Sequence, residues 1–224
     1  MPKGDRASRQ FVVIGLGRFG LTLAKTLTDW GHDVLGIDQD ENRIQEARDL
    51  ITHAVQVESL DERTISELGL SEADVAVVAI GENIEASILI TAMLVEAGTK
   101  YVVARASTDL HGVILRKVGA HHVIYPEVQL GVELAHQLRV PGVGEYISMG
   151  EDAGIYKLRV PKEWTGKRLS QLYKSIHDPL FAVLVIIRTD EIVTTPGPEE
   201  VLAEGDTIAI ICRESRLDEL QISP

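Results

Sequence analysis

The hexapeptide Gly15-Leu16-Gly17-Arg18-Phe19-Gly20 constrains this chain more than any other stretch. Alone, G-x-G-x-x-G is a weak pattern. Here it follows the apolar run 11–14 and opens a segment, 18–30, in which Leu21, Ala24 and Leu27 share one helical face. Asp38 ends the next apolar run, about 20 residues on, as the dinucleotide fingerprint requires. Gly15 makes the tight turn from strand to helix, Gly17 lets the backbone approach a phosphate pair, and Gly20 lets the helix pack on the sheet. The start of the helix offers free N–H groups and a positive dipole end to the phosphates. The Asp38 carboxylate suits both ribose hydroxyls and would repel a 2′-phosphate, which disfavours NADP. The fingerprint does not separate NAD or NADH from ATP or ADP, since all carry an adenosine ribose and a diphosphate. Arg18, inside the loop, offers a guanidinium to a terminal phosphate.

As far as residue 125, short runs that are apolar throughout alternate with helical segments. The expected strands are 11–14, 34–37, 54–57, 75–80, 101–104 and 122–125. The expected helices are 18–30, 42–50, 60–68, 83–97 and 110–118, with Ile84, Ile88, Ala92 and Val95 as the apolar residues of the fourth. This pattern predicts an α/β fold with a Rossmann-like, doubly wound parallel sheet. Ligands of such sheets lie beyond the carboxyl ends of the strands. The candidate binding residues are therefore Gly15, Leu16, Gly17, Arg18, Phe19, Gly20, Asp38, Gln39, Glu58, Ser59, Ile80, Gly81, Asn83 and Arg105. Glu127 is the candidate metal residue. A carboxylate beside a polyphosphate is favourable only with a cation, divalent or monovalent, between them.

Residues 126–139 read as one more helix, with Pro126 in its first turn. Val140-Pro141-Gly142-Val143-Gly144 then marks a boundary between a nucleotide-binding domain, 1–140, and a second module, 141–224. The second part reads as a small, mostly antiparallel α+β module. Its expected strands are 155–160, 180–187, 191–194 and 207–212. A short helix at 168–174, a helical turn at 199–202 and a terminal helix at 215–220 complete it.

Acidic residues number 34 and basic residues 22, a net charge of −12. A nucleic-acid partner would need basic surface, so none is expected. The single cysteine, Cys212, excludes an internal disulfide framework and a Cys-rich zinc site, and its apolar surroundings make it a core residue. No apolar stretch nears the roughly 18–20 residues of a membrane span. The first ten residues lack the apolar middle of a secretion signal, so a cytoplasmic protein is expected. His121 and His122 are adjacent on a strand and point to opposite faces, and His177 reads as a turn residue. There is no Gly-Lys-Ser/Thr phosphate loop. The alternative to a binding protein is a small NAD-dependent oxidoreductase. That reading needs an acid or base over the nicotinamide, and the second module offers one histidine, one cysteine and no clustered carboxylates. No catalytic residue is assigned.

Several stretches together resemble the RCK, or KTN, regulators of bacterial potassium transport. They are FVVIGLGRFG, the strand ending at Asp38, VVAIGENIEAS ending at Ser87, and VGAHHVIYPE at 118–127. GLGRFG with AIGxN is closest to the cytosolic regulatory subunits of Ktr-type transporters. Gly166-Lys167-Arg168-Leu169, FAVLVIIR at 181–188, Pro196-Gly197-Pro198 and Glu204-Gly205-Asp206 resemble the family's second module, RCK-C. The resemblance implies dimers that assemble into octameric rings, docked on a potassium-translocating membrane subunit at the inner face of the cell membrane. It implies gating by nucleotide, with ATP activating and ADP inactivating, and NAD or NADH bound in some relatives. The family's phosphate-contacting arginine falls on Arg18, its ribose-binding acid on Asp38, its strand-five lysine on Arg105 and its cation-meeting carboxylate on Glu127. The chain departs at Glu58-Ser59, where the family often has a small Asp/Asn-Ala pair at the adenine. In some relatives the second module binds cyclic di-AMP, for which no signature stands out here.

Overall fold

The computed structural model describes residues 8–139, 142–173 and 181–216. The chain divides into two compact units, 1–127 and 128–224.

The first unit alternates β1 (Gln10–Ile14), α1 (Arg18–Asp29), β2 (Asp33–Asp38), α2 (Glu41–Ala47), β3 (His53–Gln56), α3 (Glu62–Glu67), β4 (Val75–Val78), α4 (Ile84–Glu96), β5 (Val102–Arg105), α5 (Asp109–Lys117) and β6 (His122–Ile124). The sheet order is β3-β2-β1-β4-β5-β6, with every pair parallel. Chain order reverses between β1 and β4, which opens a crevice at the strands' carboxyl ends.

The strands are apolar throughout because both faces are covered. In β1, Val12 and Ile14 join a core with Leu94 of α4 and Leu115 of α5. Val13 points the other way, into a core with Ala24 and Leu27 of α1 and Ile44 of α2. Burying each such Val, Leu or Ile side chain stabilises the fold by about 1.5–3 kcal/mol. The sequence expectation is met in topology and corrected in detail. The buried face of α4 is Ser87, Ile90, Thr91 and Leu94. Ile84 stays exposed, and Ile88, Ala92 and Val95 are only half-buried. This helix is apolar on several sides, so periodicity alone does not pick the inward one.

In the second unit, α6 (Pro126–Arg139), whose first turn still belongs to the first unit, leads to β7 (Val143–Ser148), β8 (Gly154–Arg159), α7 (Leu169–Leu172), β9 (Phe181–Ile187), β10 (Ile192–Thr194) and β11 (Thr207–Cys212). The strands form an antiparallel sheet in the order β10-β9-β11-β8-β7. One face is fully buried, with Tyr156 and Leu158 of β8 beside Ile208, Ile210 and Cys212 of β11. That alternation is the period of a strand with one core face.

Two expectations fail here. Strand β7 was not expected, because a register shift between Val143 and Glu145 spaces its buried residues, Val143 and Tyr146, three apart rather than two. Residues 199–202 form no helix. The Glu200 N–H closes a turn on the Gly197 carbonyl at 3.0 Å, and Val201 bridges to Arg168. His177, and most of the expected terminal helix at 215–220, lie outside the described residues. Cys212 is a core residue as expected, and burial pushes its thiol up to about 11. Among the described residues no helix is long and apolar enough to cross a membrane.

Candidate functional site

The turn between β1 and α1 is built by close approach. Gly15 has φ 95°, in the left-handed region, and its N–H donates to the Ile37 carbonyl at 2.8 Å. A Cβ on Gly20 would sit 1.9 Å from the Gly15 carbonyl oxygen, so only glycine fits there. Gly17 caps α1 and brings no side-chain acceptor. The next four helices are each capped by a side chain. Asp40 accepts from the Asn42 N–H at 2.9 Å, and Asp61 from Thr64 at 2.8 Å. Asn83 accepts from Ala86 at 3.0 Å, and Thr108 from His111 at 3.1 Å. The first turn of α1 is thus left with N–H donors free for an anion.

Asp38, only 6% exposed, closes this loop from below. Its Oδ2 accepts the Leu16 N–H at 2.6 Å and its Oδ1 accepts the Asp40 N–H at 2.9 Å. Arg43 Nη1 reaches Oδ2 at 3.3 Å. A carboxylate offers about four acceptor sites, and three are taken. One site remains for a ribose hydroxyl, so holding both hydroxyls would require Arg43 to move. Arg43 also lies over the loop, 4.0 Å from where a Gly17 Cβ would sit. Sequence reasoning missed it. The available signal was a basic residue in the first turn of the helix that follows the acidic strand end. Its charge also weakens the argument that Asp38 alone excludes a 2′-phosphate.

At the other side of the crevice, Arg105 ends β5 and pairs with Glu127. Its guanidinium lies against Gly81 and 5.9 Å from the centre of the Phe19 ring, within cation–π range. Four predicted residues, Phe19, Gly81, Arg105 and Glu127, therefore come together. The others stand as follows. Arg18 is the exposed first residue of α1 and forms no ion pair among the described residues. Asn83 is committed to capping α4. Ile80 packs on the core, and the Gln39 carbonyl accepts from Gln56 Nε2 at 3.1 Å. Glu58 and Ser59 are exposed beyond β3.

Among the described residues no three His, Cys, Asp or Glu side chains gather into a metal cage. Two histidines near the sheet end are structural. His121 Nδ1 accepts the Val102 N–H at 3.0 Å. His111 is 1% exposed and accepts the Ser107 N–H at 3.3 Å through Nδ1, and burial pushes its pKa down.

Residues 11–126 match the family model described as the TrkA-N domain. The chain is 35% identical over 217 residues to the Ktr system potassium uptake protein A of Vibrio alginolyticus, covering 97% of each chain. It is 34% identical over 203 residues to the Ktr system potassium uptake protein C of Bacillus subtilis, covering 91% of each. Its fold is similar to the crystal structure of the GsuK RCK domain, with a TM-score of 0.62 and 17% identity. That match takes in 100% of this chain and 49% of the other, so the chain spans about half of the GsuK RCK chain.

Proposed function

The chain belongs to the TrkA-N family, and from that premise we propose that it is a cytosolic, nucleotide-sensing regulatory subunit of a potassium uptake transporter. Its ligand is ATP or ADP, with NAD or NADH able to enter the same crevice. The observation that carries this reading is the uncapped start of α1, bounded by Gly15 and Gly20 and tied through the Leu16 N–H to Asp38. The Ktr relatives named above, matched over nearly the whole chain, are potassium uptake proteins rather than enzymes, so the oxidoreductase alternative is set aside.

The adenosine ribose lies at Asp38 and the phosphates at the α1 terminus. A triphosphate reaches past the loop to Arg18, and a diphosphate stops short. A ligand shifts a population only by binding one arrangement better than another, and the contact at Arg18 supplies that difference. Glu127 is a single carboxylate, so a cation beside it would take its other ligands from phosphate oxygens or a neighbouring subunit. The described residues of one chain do not by themselves fit a metal, and the contact at Arg18 needs none. Leu110 and Val113 on α5, and Leu130, Leu134 and Leu138 on α6, are exposed. Apolar surface of this kind supports self-association into dimers and a ring, which would act on a potassium-translocating membrane subunit.

Calorimetric titration with ATP, ADP, NADH and NAD tests the reading. Binding of ATP and ADP with unequal affinity is expected, and no binding would refute it. Arg18→Ala should stay folded and lose the discrimination between ATP and ADP.

A further inference from the structure

We propose that Glu127 is a positioning residue that sets the crevice's affinity for phosphates by holding Arg105, and that an incoming phosphate displaces it from the guanidinium. The proposal rests on the reading of the crevice as a nucleotide site. A Cβ on Gly81 would lie 2.8 Å from Arg105 Cζ, 2.8 Å from Nη1 and 3.0 Å from Nη2. Three nearly equal distances mean that the guanidinium lies flat over the space a Gly81 side chain would take, and any larger residue there would displace it. Phe19, from the glycine loop itself, faces the same cation. The charge of Arg105 is thus fixed beside the loop that offers its N–H groups to an anion. Glu127 neutralises it from the first turn of α6.

Stability does not explain this pair. The Glu127 side chain is 63% exposed, and ion pairs with an exposed partner contribute little. Arg105 Nε, by contrast, is buried with no partner among the described residues. A buried donor without an acceptor is unfavourable, so Glu127 leaves the guanidinium only partly satisfied. A phosphate has oxygens for several N–H groups at once and matches the guanidinium fork. Exchange of Glu127 for phosphate gives the Nη groups a partner that matches them and frees the carboxylate at the start of the helix that runs on into the second unit.

The test is a double-mutant cycle on the full chain, with ADP, ATP and pyrophosphate as probes, titrated in a buffer with a chelator and no divalent cation. Glu127→Gln should tighten binding by roughly threefold or more. Arg105→Gln should weaken it, and Arg105→Gln with Glu127→Gln should match Arg105→Gln alone. If the gain from Glu127→Gln persists without Arg105, the carboxylate repels phosphate directly and the proposal is overturned. Unchanged or weaker binding by Glu127→Gln overturns it too. If the unaltered protein binds none of the probes, the nucleotide reading itself fails, an outcome separable from the others. Circular dichroism of each variant confirms folding, and Glu127 is exposed enough for glutamine to fit.

Discussion

Asp38 and Asp206 are both almost fully buried, at 6% and 4% exposed, and both accept backbone N–H groups next to a strand. Their neighbours give them different work. Asp206 accepts from the Ala203 N–H at 2.9 Å and from Arg188 Nε at 3.4 Å. Arg188 also meets Glu200 at 2.9 Å, Glu191 at 3.6 Å and the Val201 carbonyl at 3.0 Å. That network uses its donors on itself and holds a turn. Asp38 anchors a loop whose first-turn N–H groups receive no side-chain cap among the described residues. A buried carboxylate therefore marks a ligand site only where the geometry around it is left incomplete.

Five substitutions, the last read in a pH titration, can break or sharpen that contrast. The largest effect belongs to the loop Asp38 holds. Gly20→Val should destabilise the first unit by at least about 3 kcal/mol, because its Cβ collides with backbone rather than with a side chain that could move. Thermal melting of the intact chain measures this. Asp206→Ala should lose about 2 kcal/mol by orphaning the Ala203 N–H. Hydrogen exchange should show the loss in the second unit alone, with nucleotide affinity unchanged. A fall in affinity would mean the two aspartates are not separate in function.

Asp38→Asn should weaken nucleotide binding about tenfold, or about 1.4 kcal/mol, since an amide nitrogen cannot accept from Leu16 or Arg43. Equal binding by the variant would place the ribose elsewhere. Tyr156→Phe should raise stability by about 1 kcal/mol, because the Tyr156 hydroxyl is buried with no hydrogen-bond partner among the described residues. A lower melting temperature would reveal a partner for that hydroxyl.

The smallest effect is a pH dependence. Burial holds the folded pKa of His111 below its ordinary 6.5. Above 6.5 the ring is neutral in both states and contributes no slope. As pH falls below 6.5, the unfolded chain takes up a proton that the folded chain does not, so stability drops, by at most about 1.4 kcal/mol per pH unit. The loss continues down to the folded pKa. His111→Gln should flatten that part of the curve in melts between pH 7.5 and 5.

The sequence by itself determined the parallel sheet, the glycine turn and Asp38 as its acidic partner. All three are written in local chemistry: unbroken apolar runs need cover on both faces, and a backbone contact admits only glycine. Local pattern also sufficed for β8 and β11, whose alternation matches the pleat. It failed at β7, where a bulge changes the period, and at α4, where apolar residues surround the helix. What only the tertiary structure decided is who meets whom. Arg43 reaches Asp38 because α2 turns back over the loop, and Arg105 meets Glu127 because β5 and β6 are neighbours in the sheet. Asn83 is engaged as a helix cap. Such pairings depend on the path the backbone takes between the partners, over five residues for Arg43 and Asp38 and 22 for Arg105 and Glu127, and a charge carries no mark in sequence of the partner that will satisfy it.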